Sequence, residues 1–248
     1  MLIGISGRIS SGKDTVGAMI EYLSSECSNK DGKHYRTFDE FQNYRDGKGN
    51  HFQPWYNSDW KIKKFAGKLK QIASILTGIP TYKFEDQEFK KTFLGTEWDY
   101  MERAGGEFGN EWTHTQMTVR ELLQKLGTDA MRNGLHTDVW VNATLSEYLS
   151  DTVAEGTDEF DVLDKDQLPK WIITDVRFPN EANAIILKKG VLIRVIRPGQ
   201  PMTDLHPSET SLDDYSLFSY TIVNDGTLDD LLNKVRDILG DLKKKSYI

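Results

Sequence analysis

The chain begins with a short apolar run, Leu2-Ile3-Gly4-Ile5. It then passes through Gly7-Arg8-Ile9-Ser10-Ser11-Gly12-Lys13-Asp14-Thr15 into a helical pattern that extends from Lys13 to Ser25. The apolar run reads as a buried parallel strand. A strand, a glycine-rich turn and a helix in this order form the setting in which a backbone can wrap an anion. The glycines allow close approach, and successive N–H groups and the helix N-terminus point at the anion's oxygens. Lys13 would bring a positive charge to β- and γ-phosphates. The competing reading is a glycine-rich turn with a chance lysine, which the strand, the spacing and the following helix disfavour.

One position departs from the usual pattern. The residue after the lysine is commonly Ser or Thr, which binds magnesium. Here it is Asp14, and Thr15 follows. Either Asp14 takes part in the metal shell, or Thr15 substitutes, or the metal is held mainly by water and phosphates.

Further along, Lys61 to Phe65, Trp171 to Thr174, Val191 to Ile196 and Tyr220 to Val223 read as strands. Ala66 to Leu76, Val119 to Leu126, Asp138 to Leu149, Asn180 to Lys189 and Leu228 to Leu242 read as helices. Gly190 supplies a helix stop. Strands alternating with helices predict a parallel sheet covered by helices on both faces. Asn29 to Asp59 reads as loop or irregular insertion, Thr77 to Thr118 as a second insertion able to hold a mobile subdomain, and Asp151 to Asp166 as an acidic, solvated linker. The expected organisation is one domain over 1–248 with insertions at 29–59 and 77–118.

The 248 residues suffice for a full hydrophobic core. A net charge of -7 argues against coating nucleic acid, which needs a basic face, but leaves room for a local basic cleft. Cys27 is the single cysteine, so an internal disulfide is excluded and a reducing compartment is expected. No signal-peptide pattern opens the chain and no apolar run is long enough to cross a bilayer, so a cytosolic protein without membrane contact is expected. The histidines show no metal-ligand spacing.

Several blocks carry a family resemblance: Gly12-Lys13-Asp14-Thr15, Phe65-Ala66-Gly67-Lys68-Leu69-Lys70, Val119-Arg120-Glu121-Leu122-Leu123-Gln124-Lys125-Leu126-Gly127-Thr128-Asp129, Thr174-Asp175-Val176-Arg177 and Asn224-Asp225-Gly226. Arg197-Pro198-Gly199-Gln200, followed by His206 and Glu209, adds to them. In this order the chain resembles the phage deoxynucleoside monophosphate kinases. The resemblance implies a P-loop kinase fold of the α/β class with an acceptor-binding or lid insertion. It also implies transfer of the ATP γ-phosphoryl group to a deoxynucleoside 5′-monophosphate, Mg²⁺ as cofactor, often a homodimer, and host cytoplasm for a viral protein.

Within that frame the candidate residues are weighed one by one. Ser11, Gly12, Lys13, Asp14 and Thr15 are expected at ATP, with Asp14 and Thr15 at the metal. Arg120 and Gln124 share a polar helix face. A guanidinium there grips phosphate and an amide reads a base edge or ribose, although the same face fits plain solvation. Gly127 allows close backbone approach, and Thr128 completes that block. Asp175 ends an apolar strand, where open α/β sheets bind ligands, and Arg177 can neutralise the moving phosphoryl group. These two also fit a structural ion pair. Glu181 lies in the following helix. Lys64 and Lys70 flank a strand–helix turn and suit an acceptor phosphate, or simple exposure. Trp140 can stack a base or sit in the core, and spacing alone favours the core. Arg194 and Arg197 bracket a strand end, and Arg197 opens a turn that could carry a lid over ATP. Asn224 and Gly226 follow the last strand, where adenine could lie. His206 and Glu209 are candidate lid contacts. Two rival functions stay open: another small-molecule kinase on the same loop, acting on a coenzyme precursor or phosphorylated alcohol, and a nucleotide-dependent switch. The switch lacks its Asn-Lys-x-Asp and Asp-x-x-Gly signatures.

Overall fold

A computed structural model describes residues 1–25, 37–45, 58–103, 112–150, 168–199 and 207–245. Cys27, the acidic stretch 151–166 and His206 lie outside the described residues.

By internal contacts the chain forms two compact units, Met1–Phe65 with Thr144–Ile248, and Ala66–Ala143. The first unit is built on a five-stranded sheet of β1 (Leu2–Ser6), β2 (Trp60–Lys63), β5 (Lys170–Val176), β6 (Val191–Ile196) and β7 (Tyr220–Val223). The strand order is β2-β5-β1-β6-β7 and every pairing is parallel. β1 is buried throughout, and β5 from Trp171 onward, as expected of central strands in a sheet covered on both faces. Alternation along β1 sends its residues to opposite faces. Ile3 and Ile5 join the core formed with Val16, Met19 and Ile20 of α1 (Lys13–Leu23) and Leu231 and Val235 of α8 (Leu228–Lys244). Gly4 faces α6 (Pro179–Leu187), and a Cβ there would lie 2.5 Å from Ile185 Cδ1. The fold is therefore the predicted α/β arrangement with helices on both faces.

One segment read as irregular contains a helix. Within 29–59, α2 covers Phe38–Arg45. Thr37 and Glu40 cap it reciprocally: Thr37 Oγ1 accepts the Glu40 N–H at 3.3 Å, and the Thr37 N–H reaches Glu40 Oε2 at 3.0 Å. Phe38 and Phe41 then pack on the ring of Tyr22. The polar composition hid a start signal, Thr37-Phe38-Asp39-Glu40, that was present in the sequence.

The second unit contains α3 (Ala66–Thr77), short 3-10 turns at Thr81–Glu85, Phe89–Lys91 and Thr96–Trp98, an antiparallel pair β3 (Tyr100–Arg103) and β4 (Trp112–Thr115), and α4 (Val119–Gln124). In the described part of 77–118 the structured turns pack around a core of Ala73, Phe84, Val119 and Leu122, while the strand pair is largely exposed. The helix expected over Val119 to Leu126 narrows to α4 and then widens into a π-helical stretch, Lys125–Asn133, before α5 (Val139–Ser150). In that stretch the carbonyl of Gly127 accepts the indole N–H of Trp140 at 2.9 Å. Widened turns of this kind recur at functional sites.

Candidate functional site

β1 ends at Ser6, and the chain then curls tightly. Ser10 and Gly12 have φ values of 61° and 98°. With left-handed residues so close together the loop makes a concavity of the kind that binds anions, in which the Ser11 N–H is already taken by the Arg8 carbonyl at 3.1 Å. A side chain at Gly12 would meet two obstacles, the positive φ and Asn224 Nδ2 at 2.7 Å from a Cβ. Asn224 itself donates from Nδ2 to the carbonyl of Ser11 at 2.9 Å, so the residue after β7 buttresses the loop. Gly12 caps α1 with no side-chain acceptor, so the cap itself offers the amides of the first helical turn no side-chain partner. Ser11 Oγ is buried without a hydrogen-bond partner.

Lys13 is only 7% exposed, and its Nζ donates to the carbonyl of Arg8 at 3.3 Å. Burial, and then the positive charge of Arg177, push its pKa from 10.5 down to about 8. A polyphosphate beside Lys13 favours the ammonium and raises that pKa again. The complex therefore holds more protons than the free protein above pH 8, and affinity must fall as pH rises there. Titration with inorganic tripolyphosphate, chelator present, should show Kd rising above pH 8 by up to about tenfold per pH unit. A flat profile from pH 7 to 9.5 would mean that Lys13 does not meet the anion.

Asp14 follows on the first turn of α1. Its Oδ1 accepts the hydroxyl of Thr174 at 2.9 Å and lies 3.4 Å from Lys64 Nζ. Partial burial pushes its carboxyl up, but Lys64, the Thr174 hydroxyl and Lys13 outweigh this and hold it below the usual range. The side chain is still 57% exposed. A charged, reachable carboxylate next to a phosphate loop fits Mg²⁺, which takes one or two carboxylates together with substrate phosphates rather than a full protein cage. Among the described residues no cluster of three or more His, Cys, Asp or Glu could hold a metal. Thr15 is half-buried one residue on.

The carboxyl end of β5 lies beside this loop. Asp175 is 7% exposed and accepts the N–H of Phe65 at 2.8 Å, tying the turn after β2 to β5. The N–H of Arg177 donates to Glu181 Oε2 at 2.7 Å, and the same oxygen accepts the N–H of Phe178 at 3.1 Å. Glu181, almost fully buried, thus caps α6 and fixes the backbone of Arg177. The Arg177 guanidinium pairs with Glu209 of α7 (Pro207–Thr210) and donates to the carbonyl of Ser208 at 3.3 Å. Beyond the loop, Arg8, Ser11, Arg194 and Arg197 line a cavity of about 240 Å³.

The first unit therefore carries Ser11, Gly12, Lys13, Asp14, Thr15, Lys64, Asp175, Arg177, Glu181, Arg197 and Asn224. Lys70, Arg120, Gln124, Gly127, Thr128 and Trp140 belong to the second. There Lys70 is buried and pairs with Glu85 at 2.5 Å. Arg120 reaches Gln87 Oε1 at 3.2 Å, and Gln124 ends α4. Gly127 packs so closely on α3 that a Cβ would lie 2.9 Å from Leu69 Cδ2. Trp140 is 4% exposed, with its ring in the interior and its indole N–H committed to Gly127.

Sequence reasoning passed over three groups. Arg8 occupies a variable position of the loop motif. Asp213, which pairs with Arg8 at 2.7 Å and with Arg194 at 3.0 Å, carries no local signal. Thr174 was read as a strand residue, yet its hydroxyl holds Asp14.

The profile of a kinase family, deoxynucleotide monophosphate kinase, matches residues 78–235. A protein of Enterobacteria phage T4 named deoxynucleotide monophosphate kinase is 33% identical over 126 residues, covering 50% of this chain and 46% of that protein. One of Escherichia phage RB69 with the same name is 29% identical over 122 residues, covering 49% of this chain and 45% of that protein. The chain thus spans about half the length of the curated relatives it matches. The family profile begins after the phosphate loop, so the loop's geometry and the profile are independent observations. The profile covers most of the chain's length: the chain belongs to the deoxynucleotide monophosphate kinase family.

Proposed function

We propose that this protein transfers the γ-phosphoryl group of ATP to a deoxynucleoside 5′-monophosphate. The observation that carries the reading is the curled loop at Gly7 to Lys13, with its left-handed turns and buried lysine, in a chain of this kinase family. An oxygen of the acceptor's phosphate attacks the γ-phosphorus, the bond to the β–γ bridging oxygen breaks, and ADP leaves. The chemistry needs position and positive charge more than covalent help. Ser11, Gly12, Lys13 and Thr15 take the donor phosphates, Asn224 keeps the loop curled, and Arg197 borders the donor. Arg177 and Lys13 screen the moving group. Asp14 and Thr15 would hold Mg²⁺, which supplies further charge neutralisation on the phosphates.

Arg120 grips the acceptor's phosphate and Gln124 reads its base. Lys70, Gly127, Thr128 and Trp140 shape the surroundings of that helix. Within the first unit Lys64 holds Asp14, Asp175 ties the turn after β2 to β5, and Glu181 keeps Arg177 in place. The reading extends to one kinase domain over 1–248 with insertions at 29–59 and 77–118. It also extends to a homodimer in the cytoplasm (that of the host, for a viral protein), with ATP and a nucleoside monophosphate as partners and no part played by nucleic acid or membrane. No helix among the described residues is long and apolar enough to cross a membrane.

A coupled ADP-release assay over ribo- and deoxyribonucleoside monophosphates tests the function. Deoxynucleotide-dependent release is expected, and acceptor-independent hydrolysis alone would refute it. In the same assay Arg120→Ala should raise the monophosphate KM about tenfold or more and lower kcat. Gln124→Ala should mainly alter preference among bases. If both variants lose only ATP affinity, the helix serves the donor instead.

A further inference from the structure

The anion resting on the phosphate loop is one of the chain's own side chains. Glu209 sits on α7, and its side chain is 5% exposed. One carboxylate oxygen, Oε2, accepts the N–H of Ile9 at 2.8 Å, and the other pairs with the guanidinium of Arg177. Four residues on, Asp213 pairs with Arg8 at 2.7 Å and with Arg194 at 3.0 Å. A single strap, 207–213, therefore lays two carboxylates on the loop and on the guanidinium groups around it.

An ordinary structural ion pair would need only the guanidinium. Glu209 also takes a backbone amide of the phosphate loop, the kind of donor that a phosphate oxygen accepts from. Its two oxygens span the amide and the guanidinium much as two oxygens of a phosphoryl group would. The backbone of Arg177 is held separately by Glu181, so its guanidinium can exchange one anion for another without disturbing β5. Removal of both carboxylates would leave the Arg177 guanidinium without its anion beside Lys13, and Arg8 and Arg194 without the carboxylate they share. Such like charges repel strongly where water is excluded.

We propose that Glu209 is an internal stand-in for the terminal phosphoryl group of the donor. The Ile9 N–H and the Arg177 guanidinium form the seat of that group, and the strap leaves the seat when a nucleoside triphosphate arrives. The proposal rests on the kinase reading above and deepens it by assigning the place of the transferred group. It separates triphosphate from diphosphate. ADP has no terminal group to compete with Glu209, so the strap stays in place. ATP must expel the carboxylate, because the two anions cannot share one seat.

The experiment compares wild-type protein and Glu209→Gln by calorimetric titration with a non-hydrolysable ATP analogue and with ADP. The amide keeps the shape of the side chain and removes its charge. The variant should bind the triphosphate about tenfold more tightly, with ADP affinity changed by less than about twofold. Unchanged or weaker triphosphate binding overturns the proposal, and so does an equal gain for both nucleotides. In either case wild-type binding of ATP leaves the kinase reading standing. Failure of wild-type protein to bind either nucleotide sinks both. A second measurement uses only the native chain and is indifferent to how well the variant folds. Hydrogen exchange at the amides of 208–213 should speed up severalfold when the triphosphate analogue is added, and not with ADP. Slower exchange with the triphosphate would mean that the strap closes over the donor, and would overturn the proposal.

Discussion

Replacement of Lys13 by alanine should lower phosphoryl transfer by about 10³-fold while leaving the protein folded. A single cationic or hydrogen-bonding clamp on a developing charge is worth about 10²- to 10³-fold, and in the proposed reading this lysine acts on two phosphates of the donor. The fold does not depend on its charge. Burial and the neighbouring Arg177 already disfavour the ammonium, as its pKa of about 8 records. Loss of the charge therefore relieves a cost, and the thermal midpoint should stay level or rise slightly. Turnover and melting measured on the same preparation decide the matter. A folded variant with near-normal kcat would remove the donor role from this loop.

Arg177→Ala should produce the next largest loss, about 10² to 10³ in kcat, with a smaller change in the KM for ATP. Unlike Lys13, it should also destabilise the protein. Its guanidinium neutralises Glu209, whose side chain is 5% exposed, and removal of one member of a buried pair leaves an uncompensated charge. Arg177 is itself 29% exposed, so the cost should be about 2 kcal/mol, below that of a fully buried pair. The two effects can be separated. Glu209→Gln added to Arg177→Ala should restore most of the stability and none of the turnover. Denaturant titration and steady-state rates on the single and double variants test this. Recovery of turnover in the double variant would show that Arg177 serves structure alone. Arg177→Lys should remain slow, because a point charge cannot reproduce the planar, several-donor grip of a guanidinium on a phosphoryl group.

The kinase reading and the strap proposal can fail separately. Lys13 and Arg177 test whether the loop handles a transferred phosphoryl group at all. Glu209 tests which protein group occupies that place when the donor is absent.

Much of this architecture follows from local sequence. The loop between β1 and α1, the apolar cores of β5 and β6 and the stripe along α8 are short-range patterns of the local chain, whereas α6 ends at Leu187 and the left-handed residue that follows it is Lys189 rather than the expected Gly190. Even the missed helix α2 announced itself in the capping residues Thr37 and Glu40. The candidate residues on the loop were legible for the same reason, since an anion-binding turn needs its glycines and its lysine at fixed spacing. Other features required the tertiary structure. Parallel pairing in the order β2-β5-β1-β6-β7 brings the end of β5 beside the loop, so that Thr174 reaches Asp14 across 160 positions of chain. The same packing joins Arg8 to Asp213 across 205 positions and seats Glu209 on Ile9. It also turned Glu181 into a cap and committed the indole of Trp140, whose place in the core spacing already favoured, to the carbonyl of Gly127. Periodicity constrains a side chain's exposure, because burial depends on the face of its own element. It carries no information about which charge lies opposite, because a salt bridge depends on two distant segments meeting, and only the packed chain brings them together.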